Sequence, residues 1–135
     1  MVISIKNASI INKKDVYLHD DLFLYLHFAR KEKVLGMQFK TKVSEEEYLI
    51  RFIDVIGFQS SSCEYWGGES YVLDFEYIEP KQQTLLPLII DKWNKDSATL
   101  FGPFPEDIYI ETLFTFSSGD CFRICCKEIE IPTKS

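Results

Sequence analysis

Histidine is nearly missing from this sequence, with His19 and His27 the only two in 135 residues. The base that activates a catalytic nucleophile is most often histidine, so there is little material here for nucleophilic catalysis. Glycine is sparse too. The six glycines, at 36, 57, 67, 68, 102 and 119, never fall into G-x-G-x-x-G or G-x-x-x-x-G-K, which excludes the common phosphate-cradling loops. Cysteine occurs four times, and CFRICC (121–126) contains no C-x-x-C pair, so zinc-ligand spacing is absent. Cys125 and Cys126 are neighbours, and Cys121 and Cys125 would stand about 13 Å apart along one strand, too far for a disulfide. Only Cys63 is free to pair with another cysteine. Reduced, mostly buried thiols are expected.

Long apolar runs are missing as well. No window approaches the roughly 18 to 20 residues a membrane-crossing helix needs, and MVISIKNASIINKKDVYL lacks the basic start and small-residue cleavage site of a signal peptide. A soluble cytoplasmic protein is the expectation. Positive charge is the minority: 15 Lys and Arg against 21 Asp and Glu leave a formal net charge of -6. Such a chain repels a phosphate backbone, so neither nucleic acid nor a membrane is an expected partner, whereas a basic protein is electrostatically compatible.

What the chain does have is apolar and aromatic residues, 46% and 15%, with eleven Phe and seven Tyr. That supports a real core, one domain over 1–135, and sheet over helix. LFLYLHF (22–28) sets Leu22, Leu24, Leu26 and Phe28 against Phe23, Tyr25 and His27, a strand with both faces largely covered. After the polar RKEK, LGMQFKTKV sets Met37, Phe39, Thr41 and Val43 against Gly36, Gln38, Lys40 and Lys42 on a wet face, completing a hairpin. SEEEYLIRFIDVIGF admits two readings. Ser44 and Glu47 fit a capping box and Leu49, Phe52, Ile53 and Ile56 fit helical spacing, but the density of Ile, Val and Phe favours a strand.

YVLDFEYIE sets Tyr71, Leu73, Phe75 and Tyr77 against Val72, Asp74, Glu76 and Ile78, and Pro80 ends that strand. TLLPLIIDKWN (84–94) places Leu86, Ile89, Ile90 and Trp93 at helical intervals, with Pro87 tolerable in a first turn. IYIETLFTF, the turn SSGD and CFRICCKEIEI form a last hairpin. Neither face of its final strand is cleanly apolar, so sheet packed on both sides is expected there. The sum is a mainly β, antiparallel sandwich or small barrel of about seven to eight strands with one short helix.

Candidate chemistry is thin. HDD (His19, Asp20, Asp21) carries metal-ligand and acid–base residue types, but consecutive strand residues point to opposite faces, and a polar turn explains them. The carboxylate pairs Glu45 to Glu47, Glu106 with Asp107 and Glu128 with Glu130 fall at strand ends, where they are normally solvated. No catalytic residue, metal or cofactor is expected. In EYWGGES (64–70) the two glycines suit a hairpin turn. Tyr65 and Trp66 in the same stretch are the ring types that dominate interface hot spots.

YLIRFIDVIGFQSSSCEYWGGESYVLDF, with I-x-F-x-D-V and then W-G-x-x-S, resembles small uncharacterised all-β bacterial proteins, and IYIETLFTFSSGDCFRICCKEIEI resembles their C-terminal hairpin. Some of these look like immunity partners of polymorphic or contact-dependent toxins. The resemblance favours a strand at 48–58 and implies no catalytic residue. The expected function is therefore a non-enzymatic cytoplasmic binding protein, of toxin-neutralising immunity type, meeting a basic partner through Asp20, Asp21, Glu45, Glu46, Glu64, Tyr65, Trp66 and Glu69. A β-barrel binding an apolar small molecule, and a small hydrolase built on HDD or a carboxylate pair, are the alternatives.

Overall fold

The computed structural model describes residues 1–13, 16–61, 69–96, 102, 104–105 and 108–132. Among the described residues nine strands form, in chain order β1 (Val2–Ile3), β2 (Leu22–Ala29), β3 (Val34–Lys40), β4 (Glu47–Ile53), β5 (Gly57–Ser61), β6 (Ser70–Tyr77), β7 (Ile110–Phe116), β8 (Cys121–Cys126) and β9 (Glu128–Glu130). Among the described residues one α-helix, α1 (Leu85–Asp96), lies between β6 and β7 in the chain. The mainly β class and the helix near 84–94 are as the sequence indicates, and Glu47–Ile53 is strand. All pairings are antiparallel in the order β1-β9-β4-β3-β2-β6-β7-β8-β5, a sheet open at β1 and β5 instead of a closed barrel.

The sheet is strongly curled. Phe39 on β3 and Phe114 on β7 are separated by three strand spacings, roughly 14 Å on a flat sheet at about 4.8 Å per strand. Their rings lie 5.6 Å apart. Phe52 on β4, one strand further along, still reaches Phe114 at 6.2 Å. One concave face thus wraps a single core of Leu35, Met37, Phe39, Ile50, Phe52, Phe114, Phe116, Ile124 and Ile129, all essentially without exposure. Stacked and edge-to-face rings fill its centre, with Phe75 and Phe114 4.2 Å apart.

Irregularities in the ladders produce the curl and shift the alternation. In β2 the register skips Leu24, so Phe23, Leu26 and Phe28 pack on the core while Tyr25 and His27 face outward. The outer face of β2 is therefore open, against the expectation of two covered faces. In β6 the register skips Leu73, so Val72 and Phe75 are buried and Leu73 is 47% exposed. Each unpaired residue is a bulge that bends and twists its strand.

The count of nine strands instead of seven or eight has a similar cause. The runs 49–58 and 121–131 each break in the middle, and the breaks face one another: Lys127 N–H donates to the Ile53 carbonyl at 3.1 Å, and Ile56 N–H to the Cys125 carbonyl at 3.0 Å. Asp54 turns the first with φ 56°, a left-handed conformation that Asp tolerates better than most residues. Lys127 offsets the second, so Ile124 and Cys126 point inward before it and Ile129 and Ile131 after it. The mixed faces of the last strand are the mark of this offset.

Helix α1 covers the outer face of the sheet over β5, β7 and β8. Leu85 and Leu86 are buried there with Cys125, flanked by Ile56, Ile89, Ile90, Phe104 and Tyr109. Gly57 permits the close approach, since a β-carbon at that position would lie 2.6 Å from Ile89 Cδ1. The helix start is capped from the sheet. Fully buried Glu111 on β7 accepts the N–H of Leu86 at 2.7 Å and of Thr84 at 3.1 Å, and pairs with Arg123 at 2.7 Å. A carboxylate at a helix N-terminus satisfies donors that have no partner within the helix. Cys121, Cys125 and Cys126 are free thiols. Burial first, and then the Glu111 carboxylate, pushes the Cys125 thiol well above its ordinary range.

Candidate functional site

A hollow of ≈ 470 Å³ lies on the outer face at one end of the sheet. Its floor is a cross-strand row: Lys40 on β3, Leu22 on β2 and Tyr71 on β6 are register partners in turn, with Glu47 on β4 opposite Lys40. Thr41, Lys42 and Glu45 come from the turn after β3, Asp20 from the segment before β2, and Glu69 from just before β6. Three segments far apart in sequence thus supply one rim.

Two of the three rim segments are braced by hydrogen bonds. In the turn, Thr41 N–H donates to the Glu46 carbonyl at 2.9 Å, Glu45 N–H to the Thr41 carbonyl at 3.1 Å, and Glu46 N–H to Thr41 Oγ1 at 3.2 Å. Asp20 N–H donates to the Val72 carbonyl at 2.8 Å and Val72 N–H to the Asp21 carbonyl at 2.9 Å, which ties the segment before β2 to β6. Asp20, Thr41, Lys42 and Glu45 are thereby presented from braced backbone.

The charges are partly matched among themselves. Asp20 Oδ2 accepts from Lys42 Nζ at 3.2 Å and stands 3.1 Å from His19 Nδ1. The Lys42 hydrogen bond is the main reason the Asp20 carboxyl is held below its usual range. Glu69 accepts the Tyr71 hydroxyl proton, which raises the Tyr71 phenol. Asp21 departs from the surface role expected of it. It is 4% exposed and accepts Tyr48 Oη–H at 2.5 Å and Lys42 N–H at 3.3 Å. Burial and then the Asp21 hydrogen bond hold the Tyr48 phenol far above its ordinary value.

Of the sequence candidates, Asp20, Glu45 and Glu69 converge on this groove. Glu46 is exposed beside it in the same turn. Glu64, Tyr65 and Trp66 lie outside the described residues, as does the pair Glu106 and Asp107. Nothing in the sequence marks Lys40, Lys42, Leu22 and Tyr71 as site residues, although the alternation places both lysines on a wet face. Their meeting with Asp20 and Glu69 follows from pairing between distant strands, which a single sequence does not display.

Other chemistry finds little geometry. His19 and Asp20 are half-exposed while Asp21 is turned away, so HDD does not converge. Glu130 is engaged by Arg51 at 2.9 Å on the outer face. Among the described residues no group of three or more His, Cys, Asp or Glu is arranged to hold a metal ion. The concave face is filled by phenylalanines, and the described hollows are surface features. Among the described residues no helix is long and apolar enough to cross a membrane.

No protein-family model, curated protein or solved structure matches the chain.

Proposed function

We propose that this chain is a non-enzymatic binding protein that receives a basic surface of a protein partner at the groove rimmed by Asp20, Glu45 and Glu69. A toxin-neutralising immunity protein acting in the cytoplasm is the specific form this takes. The observation that carries the reading is the convergence of carboxylates from three separate segments on one groove, two of whose rim segments are braced. The chain's net charge of -6 accelerates encounter with a basic partner, and the braced segments lower the ordering cost on docking. An apolar small-molecule reading has less behind it, since phenylalanines occupy the concave face and five of the eight residues lining the groove are charged.

The test is affinity capture from a lysate of the source organism with identification of the bound protein, repeated across a salt series and with Asp20→Lys, Glu45→Lys and Glu69→Lys combined. The expected result is a basic protein released as ionic strength rises and lost by the triple variant. Capture indifferent to both would overturn the reading.

A further inference from the structure

We infer that the outer face of β3, β4, β9 and β1 docks a second copy of this chain, about a two-fold axis running between β4 and β9. Helix α1 packs over β5, β7 and β8 and does not cover this half of the sheet. Tyr25 is 57% exposed there, Val2 56% and Leu49 40%. Tyr25 and Leu49 border a hollow of ≈ 310 Å³ that also takes in Gly36, and a second hollow of ≈ 300 Å³ beside Val2 shares Leu49 and Arg51 with it. The two make one continuous surface.

Charge selects the occupant. The chain carries -6, so two copies repel over most of their surface and need a balanced face on which to meet. Apart from His27, Arg51 and Glu130 are the only acidic or basic side chains among the described residues lining the two hollows, and they balance. They pair at 2.9 Å yet keep 46% and 43% exposure, which leaves each open to a second partner. A strongly basic protein gains no attraction at such a face.

The register makes the face complementary to itself. Gly36 on β3, Arg51 on β4, Glu130 on β9 and Val2 on β1 are partners in turn along one cross-strand row. An axis parallel to the strands between β4 and β9 lays β4 of one copy on β9 of the other, and β3 on β1. Each Arg51 then meets Glu130 of the second copy, and each exposed Val2 enters the other copy's hollow at Gly36, where no side chain stands. The outer face of a curled sheet is convex, so contact is confined to these strands and a micromolar affinity is expected.

The experiment is sedimentation velocity on the full chain from about 5 to 500 μM, a range that brackets a micromolar equilibrium. A monomer–dimer equilibrium is expected. Val2→Glu is expected to weaken the dimer about tenfold or more, because it buries a charge without a partner. Arg51→Glu and Glu130→Arg, each alone, are expected to weaken it by about the same factor, since each sets like charges across the axis. An equimolar mixture of those two variants is expected to recover a dimer with one copy of each, because only that combination places opposite charges at both contacts. Pairing within one chain predicts no such recovery. All three substitutions are at exposed positions, and unchanged far-UV circular dichroism checks their folding. A monomer at every concentration, a dimer indifferent to the three substitutions, or a mixture that stays monomeric would each overturn the inference. So would a monomeric parent that loses its captured protein partner with Val2→Glu, since the face would then belong to that partner.

Discussion

Glu111 on β7 and Arg123 on β8 form a 2.7 Å ion pair in which the carboxylate has no exposed surface and the guanidinium keeps 23% of its own. The same carboxylate caps α1 through Leu86 N–H and Thr84 N–H. Strand pairing, a buried charge and helix docking therefore meet at one residue. Arg123→Ala leaves that charge with backbone donors and a weak thiol contact, and is expected to cost about 3 kcal/mol of unfolding free energy. Glu111→Gln keeps an acceptor for the helix and is expected to cost less. Urea denaturation measures both, and a loss below about 1 kcal/mol for Arg123→Ala would mean that the pair does not anchor the helix.

Gly57 and Ile89 set how closely α1 lies on β5. A methyl at 57 would meet Ile89 Cδ1 at 2.6 Å, so Gly57→Ala is expected to destabilise by about 1–2 kcal/mol through overpacking. Ile89→Val removes the atom in conflict. In that background the cost of Gly57→Ala should drop below about 0.5 kcal/mol, and a double-mutant cycle reads the coupling directly. Additive losses would place the helix elsewhere.

Alkaline pH should weaken the fold. Cys125, Cys126 and Tyr48 are all held above their ordinary pKa values, in each case chiefly by burial, so folding favours their protonated forms. Their contribution is fully present below the unfolded thiol value of about 8.5 and is lost as pH rises toward the folded values. Urea midpoints under reducing conditions are expected to fall between about pH 8.5 and 10. The fall should be shallower with Cys125→Ala and Cys126→Ala together. A flat profile would contradict the burial of these groups. Iodoacetamide mapping at neutral pH should label Cys121 well before either buried thiol.

Deleting Leu24 leaves the partners of Phe23 and Tyr25 consecutive, Phe39 and Gln38, and so regularises the β2–β3 ladder. The deletion is expected to keep the strand signal in far-UV circular dichroism yet lose about 2 kcal/mol, because the bulge supplies part of the bend that brings Phe39 and Phe114 together. A deletion variant as stable as the parent would show that the curl does not depend on this bulge.

The alternation in LGMQFKTKV predicts that Met37, Phe39, Thr41 and Val43 share the inward face; Met37 and Phe39 are completely covered, but the strand ends at Lys40, Thr41 opens a turn, and Val43 is 96% exposed. Strict alternation fails at Leu24 and Leu73, where an unpaired residue reverses which neighbours face the core. One sequence cannot mark such a residue, because a bulge and a regular strand contain the same amino acids until a partner strand is aligned. The site divides in a similar way. Acidic residues at turns drew attention to Asp20, Glu45 and Glu69, while Asp21 is indistinguishable from Asp20 until Tyr48 is seen to claim it at 2.5 Å.

The mainly β class, the helix near 84–94, the acidic balance and the scarcity of catalytic residue types are legible in the chain alone, because composition, periodicity and charge are local properties. The open, curled sheet around its phenylalanines, the capping of a helix by Glu111 from the sheet, and the meeting of Asp20, Glu45 and Glu69 with Lys40, Lys42 and Tyr71 in one groove emerge only on folding. Each of these depends on registers and bends between distant strands, and those are settled by packing the whole chain at once.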